Sequence, residues 1–373
     1  MPSTQIYMSR YLALLSSLLF RRPWDEISAR PPDADAIKDD YKFVCELNDR
    51  ELGELLGLAD AHHVTVRALR VLSRVSAQHP GQGRIQSWCE TSLAKEHRRS
   101  TNAVEKLASI CEALESSGSP VTVIKSLDHW PDFGSDLDLY ISGDDVATVF
   151  RVMTQKFKGR LEPRSWGDRL ANKWNFKIPG LPESVEVHVG CLGQTGEQKA
   201  MARRVFERSV GKTIGDYCFR VPAPEERVII STLQRMYRHL YFRLCDMLDF
   251  ARLLEERAID FQELRRAADL GGIWPGVATF LLLIVEYVNS HGGHITVPRE
   301  VLAEATSSEL RVYQGGQFLR VPKGPAVGLY GSQILRAGRQ GDLRAMLRLP
   351  LLPPLAISAL LAYRLTGSDK GVW

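Results

Sequence analysis

No two of the six cysteines (Cys45, Cys89, Cys111, Cys191, Cys218, Cys245) form a C-x-x-C pair, and their spacing is irregular. That argues against a disulfide framework and fits a reduced, cytoplasmic compartment. No apolar run reaches the ~20 residues that cross a bilayer. The most apolar stretch, 349–363, is interrupted by Pro350, Pro353 and Pro354. It is expected to be a buried C-terminal helix; the other reading is peripheral membrane contact through this stretch and the flanking Arg344, Arg348 and Arg364. A second apolar stretch, 11–20, is followed by Arg21 and Arg22. A signal peptide carries its charges before the apolar part, so an ordinary helix is expected there. Low-complexity tracts, internal repeats, G-x-S-x-G, H-E-x-x-H and zinc-ligand spacings are all absent. Val210-Gly211-Lys212-Thr213 imitates the end of a P-loop, but Phe206 occupies the upstream glycine position, so the amides cannot wrap a phosphate. His291-Gly292-Gly293-His294 reads as a loop.

What is present is a chain of 373 residues, 44% hydrophobic and 25% charged, with a formal net charge of +4. That length accommodates two or three domains or sub-domains. The mild positive excess suits an anionic substrate but is spread along the chain and does not specify nucleic acid. Residues 1–100 read as helical, with a break at Arg30-Pro31-Pro32-Asp33 and capping candidates at Asp49 and Asp60. Val64, Val66, Leu69, Leu72 and Val75 recur at helical spacing. A helix over 101–117 follows, starting at Ser100-Thr101-Asn102, ending at Gly118, with Val104, Leu107, Ala108, Cys111 and Leu114 on its apolar face.

From Val121 the period shortens to two. Strands are expected at 121–124, 137–141, 160–164, 173–178 and 184–189, with a helix capped by Ser142-Gly143-Asp144-Asp145 between the second and third. Beyond Pro222 helices return at 224–254, 260–267 and 276–288, while 295–330 has no clear pattern. The fold class expected is α+β: a small mixed β-sheet core flanked by N-terminal and C-terminal helical regions. The corresponding division is 1–100, 101–222, 223–294 and 295–373.

Two acids one residue apart, Asp136 and Asp138, lie in Gly134-Ser135-Asp136-Leu137-Asp138-Leu139. On a strand they share a face while Leu137, Leu139 and Ile141 take the other. Like charges side by side are costly unless a cation sits between them. Val185-Glu186-Val187-His188-Val189 alternates in the same way, so Glu186 can complete a three-carboxylate cluster if the strands are neighbours. Such a cluster suits two Mg²⁺ ions about 3.5–4 Å apart, one activating a hydroxyl and one holding pyrophosphate. Hard oxygen ligands favour Mg²⁺, with Mn²⁺ as an alternative. The competing reading is a polar strand edge whose acids pair with Lys and Arg.

A strand, a short loop, G-S-D-h-D-h and a later strand bearing a third acid together resemble the polymerase-beta-type nucleotidyltransferase superfamily. The ordered set resembles a bacterial family usually called uncharacterised nucleotidyltransferases. Its elements here are Leu58-Ala59-Asp60-Ala61-His62, Ile124-Lys125-Ser126, Asp136-Leu137-Asp138-Leu139, Glu186-Val187-His188 and Arg243-Leu244-Cys245-Asp246-Met247-Leu248-Asp249, covering roughly 50–290. The resemblance implies that Asp136, Asp138 and Glu186 ligate the metals, with Glu186 also the base for the acceptor hydroxyl. It implies nucleotide contacts from Lys125, Ser126, Gly134, Ser135, His188 and Arg243. Superfamily members place Gly-Gly or Gly-Ser at the end of the first strand; here Lys125-Ser126 stands there, so phosphate binding would rest on an ammonium and a hydroxyl. The third acid is Glu where Asp is more frequent.

His188 reads three ways: orienting Glu186, contacting phosphate, or sitting buried and satisfied. Arg243 and Asp246 are spaced for an ion pair within a helix; the alternative for Arg243 is a phosphate. Arg235, Arg238 and His239 line a nucleotide cleft or form a solvated face. His129, Trp130 and Asp132 lie in the loop between the first two strands, where Trp130 stacks on a base or plugs the core. The expected activity is transfer of a nucleoside monophosphate from an NTP such as ATP to a hydroxyl, a small-molecule acceptor being slightly favoured over nucleic acid. The alternative is a catalytically inert nucleotide-binding regulatory module.

Overall fold

A computed structural model describes residues 2–21, 38–78, 83–143, 146–307 and 310–366. The fold is α+β, with helical regions at both ends of a small mixed sheet. Five strands, β1 (Val121–Val123), β2 (Asp136–Ile141), β3 (Arg160–Leu161), β4 (Lys173–Lys177) and β5 (Ser184–Val189), form one sheet in the order β1-β2-β5-β4-β3. β2 runs parallel to β5, with Asp138 opposite Glu186 and Tyr140 opposite His188. β1 and β4 flank this pair in antiparallel register, with Lys173 opposite His188 and Asn175 opposite Glu186.

Alternation assigns the two faces. Leu137, Leu139, Ile141, Val185, Val187, Val189 and Phe176 are buried in one core with Leu107, Ile110 and Leu114 of the helix Gly83–Ser116. Asp136, Asp138, Glu186, Lys173 and Asn175 occupy the other face. Gly83–Ser116 is continuous, so the division expected at 100/101 falls inside one helix.

A hairpin unseen in the sequence, β6 (Ser209–Ile214) with β7 (Tyr217–Pro222), follows the sheet. It turns at Gly215, whose φ of +57° needs a residue without a Cβ penalty. The P-loop look-alike is simply strand β6. The expected helix 224–254 is broken: helix Pro224–Gln234 widens into a π-helical turn Arg235–His239 and ends at Leu240, φ +54°. Strand β8 (Tyr241–Phe242) and helix Leu244–Glu255 follow. Within 295–330, β9 (Tyr313–Gly315) and β10 (Phe318–Arg320) join β8 in a second sheet. The expected break at 30–33 and the cap at Asp144-Asp145 lie outside the described residues.

The flanking helical regions are one body. Helices Pro2–Phe20, Asp49–Ala61 and Thr65–Ala77 share a core with Leu244–Glu255 and Trp274–Ser290. The C-terminal segment departs from expectation. Leu349 and Leu352 are buried, but Leu351 and, in the helix beginning at Leu352, Ile357, Leu361 and Leu365 are exposed, because no described element covers that side. Arg344 and Arg348 turn inward: Arg344 Nε donates to Gly196 O at 2.9 Å, and Arg348 Nη1 donates to Leu170 O at 2.8 Å. Among the described residues no helix is long and apolar enough to cross a membrane.

A buried ionic network joins these parts. Arg67 Nε donates to Asp132 Oδ2 and Nη1 to Asp249 Oδ1, both at 2.7 Å. Asp249 Oδ2 lies 2.5 Å from His129 Nδ1. Burial pushes Asp249 up, but Arg67 and His129 overcome it and hold the carboxyl at about 2; burial keeps Asp132 raised. His62 is a second joint. Its Nδ1 accepts from Leu244 N at 2.9 Å, so Nε2 carries the proton, donated to Gln317 O at 2.6 Å.

Arg67→Ala leaves two carboxylates buried without their cation and is expected to cost about 3–5 kcal/mol in urea unfolding. Burial lowers the His62 pKa to about 4. The unfolded chain therefore binds this proton first, and stability should fall as pH drops from about 6.5 to about 4. His62→Gln should remove that part of the slope, measured as unfolding free energy against pH.

Candidate active site

Parallel pairing of β2 with β5 brings together acids fifty residues apart in sequence. Asp138 and Glu186 sit opposite each other, with His188 Nε2 between them, 3.2 Å from Asp138 Oδ1 and 2.7 Å from Glu186 Oε1. Ligand atoms of these three residues all lie within 4.8 Å of one another. Asp136, at the strand's entrance, is the more exposed, and Ser135 Oγ donates to its Oδ2 at 2.9 Å. Burial and the charges of Asp138 and Glu186 push the Asp136 carboxyl up, the signature of crowded acids.

Cations from neighbouring elements hold this charge in check. Lys125 Nζ pairs with Asp138 Oδ1 and stands 3.7 Å from Glu186 Oε1. Lys173 Nζ donates to Glu186 Oε1 at 2.9 Å. Burial alone would raise Glu186; Lys173, His188 and Lys125 outweigh it and hold its carboxyl well below the usual range. Burial and nearby Arg238 lower Lys173. Lys173 went unremarked in the sequence reading; its signal was the Lys173/Asn175/Lys177 alternation opposite Trp174 and Phe176.

Lys125 adopts a left-handed backbone, φ +60°, where a glycine would be unstrained. Ser126 Oγ accepts from Asp138 N at 2.7 Å and donates to Asp136 O at 3.3 Å, stitching the loop to β2. A Cβ on Gly134 would meet His63 Cε1 at 2.6 Å, so glycine permits that close approach.

The opposite wall of this 190 Å³ cavity carries Arg235, Arg238, His239, Tyr241 and Arg243. The π-helical turn and the left-handed Leu240 aim this run at the acids. Arg235 is buried and pairs with Asp246 at 2.8 Å, replacing the Arg243–Asp246 pair expected from spacing. Arg243 instead contributes its backbone N–H to Asp246 Oδ2 at 2.7 Å, and its guanidinium stands 5.8 Å from the Phe318 ring centroid. Arg235 Nη1, Arg238 Nε and Arg243 Nε are buried without a hydrogen-bond partner. Burial and these arginines hold His239 well below its ordinary value, hence neutral.

Trp130 packs edge-on against Phe133 and faces a separate cavity of about 480 Å³. Lined by Arg67, Arg70, Lys212 and Arg227 among others, that cavity contains none of the three acids. His129 lines the acidic cavity, while Asp132 belongs to the Arg67 network. His291 Nδ1 contacts Tyr287 O at 2.8 Å, and no metal-holding group among the described residues includes His294.

The ligand atoms close enough to share one ion are those of Asp138, Glu186 and His188, and Asp136 is not among them; the carboxylate oxygens of this group are donors of the kind that hard divalent cations take.

The model of the family described as uncharacterised nucleotidyltransferase matches residues 48–289, well over half the chain, and the chain belongs to that family. Comparison with curated proteins finds no match. The matched span takes in the sheet, the Arg67 network and the arginine wall, and the family name indicates nucleotidyl transfer in general.

Lys125 Nζ sits on the Asp138 oxygen that a metal ion would take. Lys125→Ala is therefore expected to tighten nucleotide-free Mn²⁺ binding several-fold, followed by paramagnetic resonance of the free ion; unchanged or weaker binding would exclude that competition.

Proposed function

We propose that this chain is a polymerase-beta-type enzyme that transfers a nucleoside monophosphate from an NTP to a hydroxyl acceptor. The observation that carries the reading is a cavity with acids on one wall and buried, unpartnered guanidinium nitrogens on the other. A triphosphate held between divalent ions and arginines satisfies both walls at once. In the reaction the acceptor hydroxyl gives its proton to water of the cleft, its oxygen bonds to the α-phosphorus, the bond from that phosphorus to the bridging oxygen breaks, and pyrophosphate leaves with the electron pair. The volume of 190 Å³ falls below the ~300 Å³ of a typical ligand pocket, so it suits the phosphate end of the nucleotide and leaves the base outside.

Asp136, Asp138 and Glu186 would hold the metal. When bound, Mg²⁺ or Mn²⁺ would neutralise phosphate charge and favour the ionised acceptor hydroxyl. Glu186, kept ionised by Lys173 and His188, suits the role of ligand better than that of proton acceptor. His188 orients Glu186 and Asp138. Arg235, Arg238 and Arg243 take the phosphates. Lys125, released from Asp138 by a cation, would be free to pair with a phosphate, and Gly134 and Ser135 supply backbone at the mouth of the cleft. The catalytic core is the sheet with the helix Gly83–Ser116 packed on it, and the arginine wall belongs to 223–294. The acceptor most compatible with this cleft is a small hydroxyl compound, and a reduced cytoplasmic setting suits the free thiols.

The inert-module reading draws on one observation: Lys125 and His188 already engage the ligand oxygens, and the Ser126 hydroxyl is spent on the backbone.

Incubation with Mg²⁺ or Mn²⁺, α-labelled NTPs and a panel of hydroxyl acceptors decides between them. Label transfer with pyrophosphate release is expected, reduced at least ~100-fold in Asp136→Asn and Asp138→Asn. Turnover unchanged in both variants would remove the cluster from the chemistry; NTP binding without transfer across the panel would favour the module.

A further inference from the structure

Beside the acidic cluster, side chains of different chemistry converge from three separate parts of the chain. His63 follows the helix Asp49–Ala61, His129 lies in the β1–β2 loop, and Cys245 is in the first turn of Leu244–Glu255. One ligand atom from each lies within 4.8 Å of the other two. His129 Nε2 is 3.8 Å from Cys245 Sγ. Around a tetrahedral zinc, nitrogen and sulfur ligands sit about 3.4–3.6 Å apart, which follows from metal–ligand distances of roughly 2.0–2.3 Å. Small side-chain rotations close the difference.

Two further observations point to a metal. Asp249 Oδ2 holds the other His129 nitrogen at 2.5 Å, the carboxylate–histidine arrangement that fixes the ring and points Nε2 toward Cys245. Burial would lower His129, but Cys245 and Asp249 raise it well above its ordinary value, so a metal bound there would displace the Nε2 proton. His63 Nδ1 is buried without a hydrogen-bond partner, a loss that a ligand would repair. His63 also reaches this position by close approach to Gly134, from a left-handed backbone at φ +52°.

A Cys245–His129–Asp249 nucleophilic triad has similar connectivity, but Cys245 is fully buried and does not line the cavity. No electrophile reaches its sulfur. A bare ion can, because both histidines line the cavity.

We propose that His63, His129 and Cys245 bind a borderline-soft divalent transition metal of the Zn²⁺ type, with water from the cleft as fourth ligand. The imidazole and thiolate donors select against Mg²⁺, as the neighbouring carboxylates select for it. Bound there, the ion clips the loop bearing Lys125 and Ser126 to the helices on either side, so it acts on the geometry of the cleft rather than in the chemistry. This site stands or falls apart from nucleotidyl transfer.

Chelator-stripped full-length protein titrated with Co²⁺, in reductant free of thiols, tests it. The expected result is one equivalent showing a thiolate-to-cobalt charge-transfer band and the intense visible bands of tetrahedral cobalt, displaced by Zn²⁺. The bands should vanish in Cys245→Ser and His63→Gln and persist in Asp138→Asn. Zn²⁺ should raise the melting temperature of the parent protein but not of His63→Gln, which decides the matter if Cys245→Ser fails to fold. Absence of a charge-transfer band, or bands that survive His63→Gln, overturns the assignment.

Discussion

Arg67 holds the molecule together. One guanidinium, largely buried, binds Asp132 of the β1–β2 loop and Asp249 of the helix Leu244–Glu255. It thereby ties the first helical region, the loop at the edge of the candidate cleft and the second helical region at a single point. Ionic groups this deep are costly, and the geometry repays the cost only because every partner is placed: Val66 N donates to Asp132, and His129 takes the remaining Asp249 oxygen. If the joint loosens, the arginine wall no longer faces the acids, because the acids stand on the sheet and the arginines on the helical body.

The cleft extends the same electrostatics. Three acids on β2 and β5 would repel one another, and Lys125, Lys173 and His188 answer them. Across the gap, three arginines carry buried nitrogens without partners. Each wall tolerates its own excess, and in the proposed function a polyanion with divalent cations would complete both. Beside the acids, His129 of the β1–β2 loop meets His63 and the buried thiol of Cys245 from separate parts of the chain, so carboxylate oxygens and nitrogen–sulfur groups stand next to each other in the fold.

Local patterns were legible where a local rule governs. Period-two alternation located β2, β4 and β5 and gave the faces of β2 and β5, because one side of each is buried in a hydrophobic core. The α+β class and the family's span followed from the order of these elements. The hairpin β6–β7 was missed because its exposed, mixed residues at Val210, Gly211 and Thr213 lack alternation. The run 224–254 reads as one helix because its apolar period survives the π-helical turn; the break at Leu240 is a backbone event without Gly or Pro to announce it. The segment 349–363 was expected to be buried on composition, but burial needs a partner surface, and composition does not supply one.

The sequence by itself determined the candidate cleft's acids, since two carboxylates at i and i+2 on a strand must share a face and a third on a like-patterned strand can meet them. It also determined the class of the fold and the family. Only the tertiary structure decided what surrounds those acids. Lys173, the arginine wall, the true partner of Asp246 and the convergence of His63, His129 and Cys245 all depend on contacts between residues of different elements, such as His129 and Cys245, 116 positions apart. No short-range period encodes such contacts, because they are fixed by how the helical body docks on the sheet.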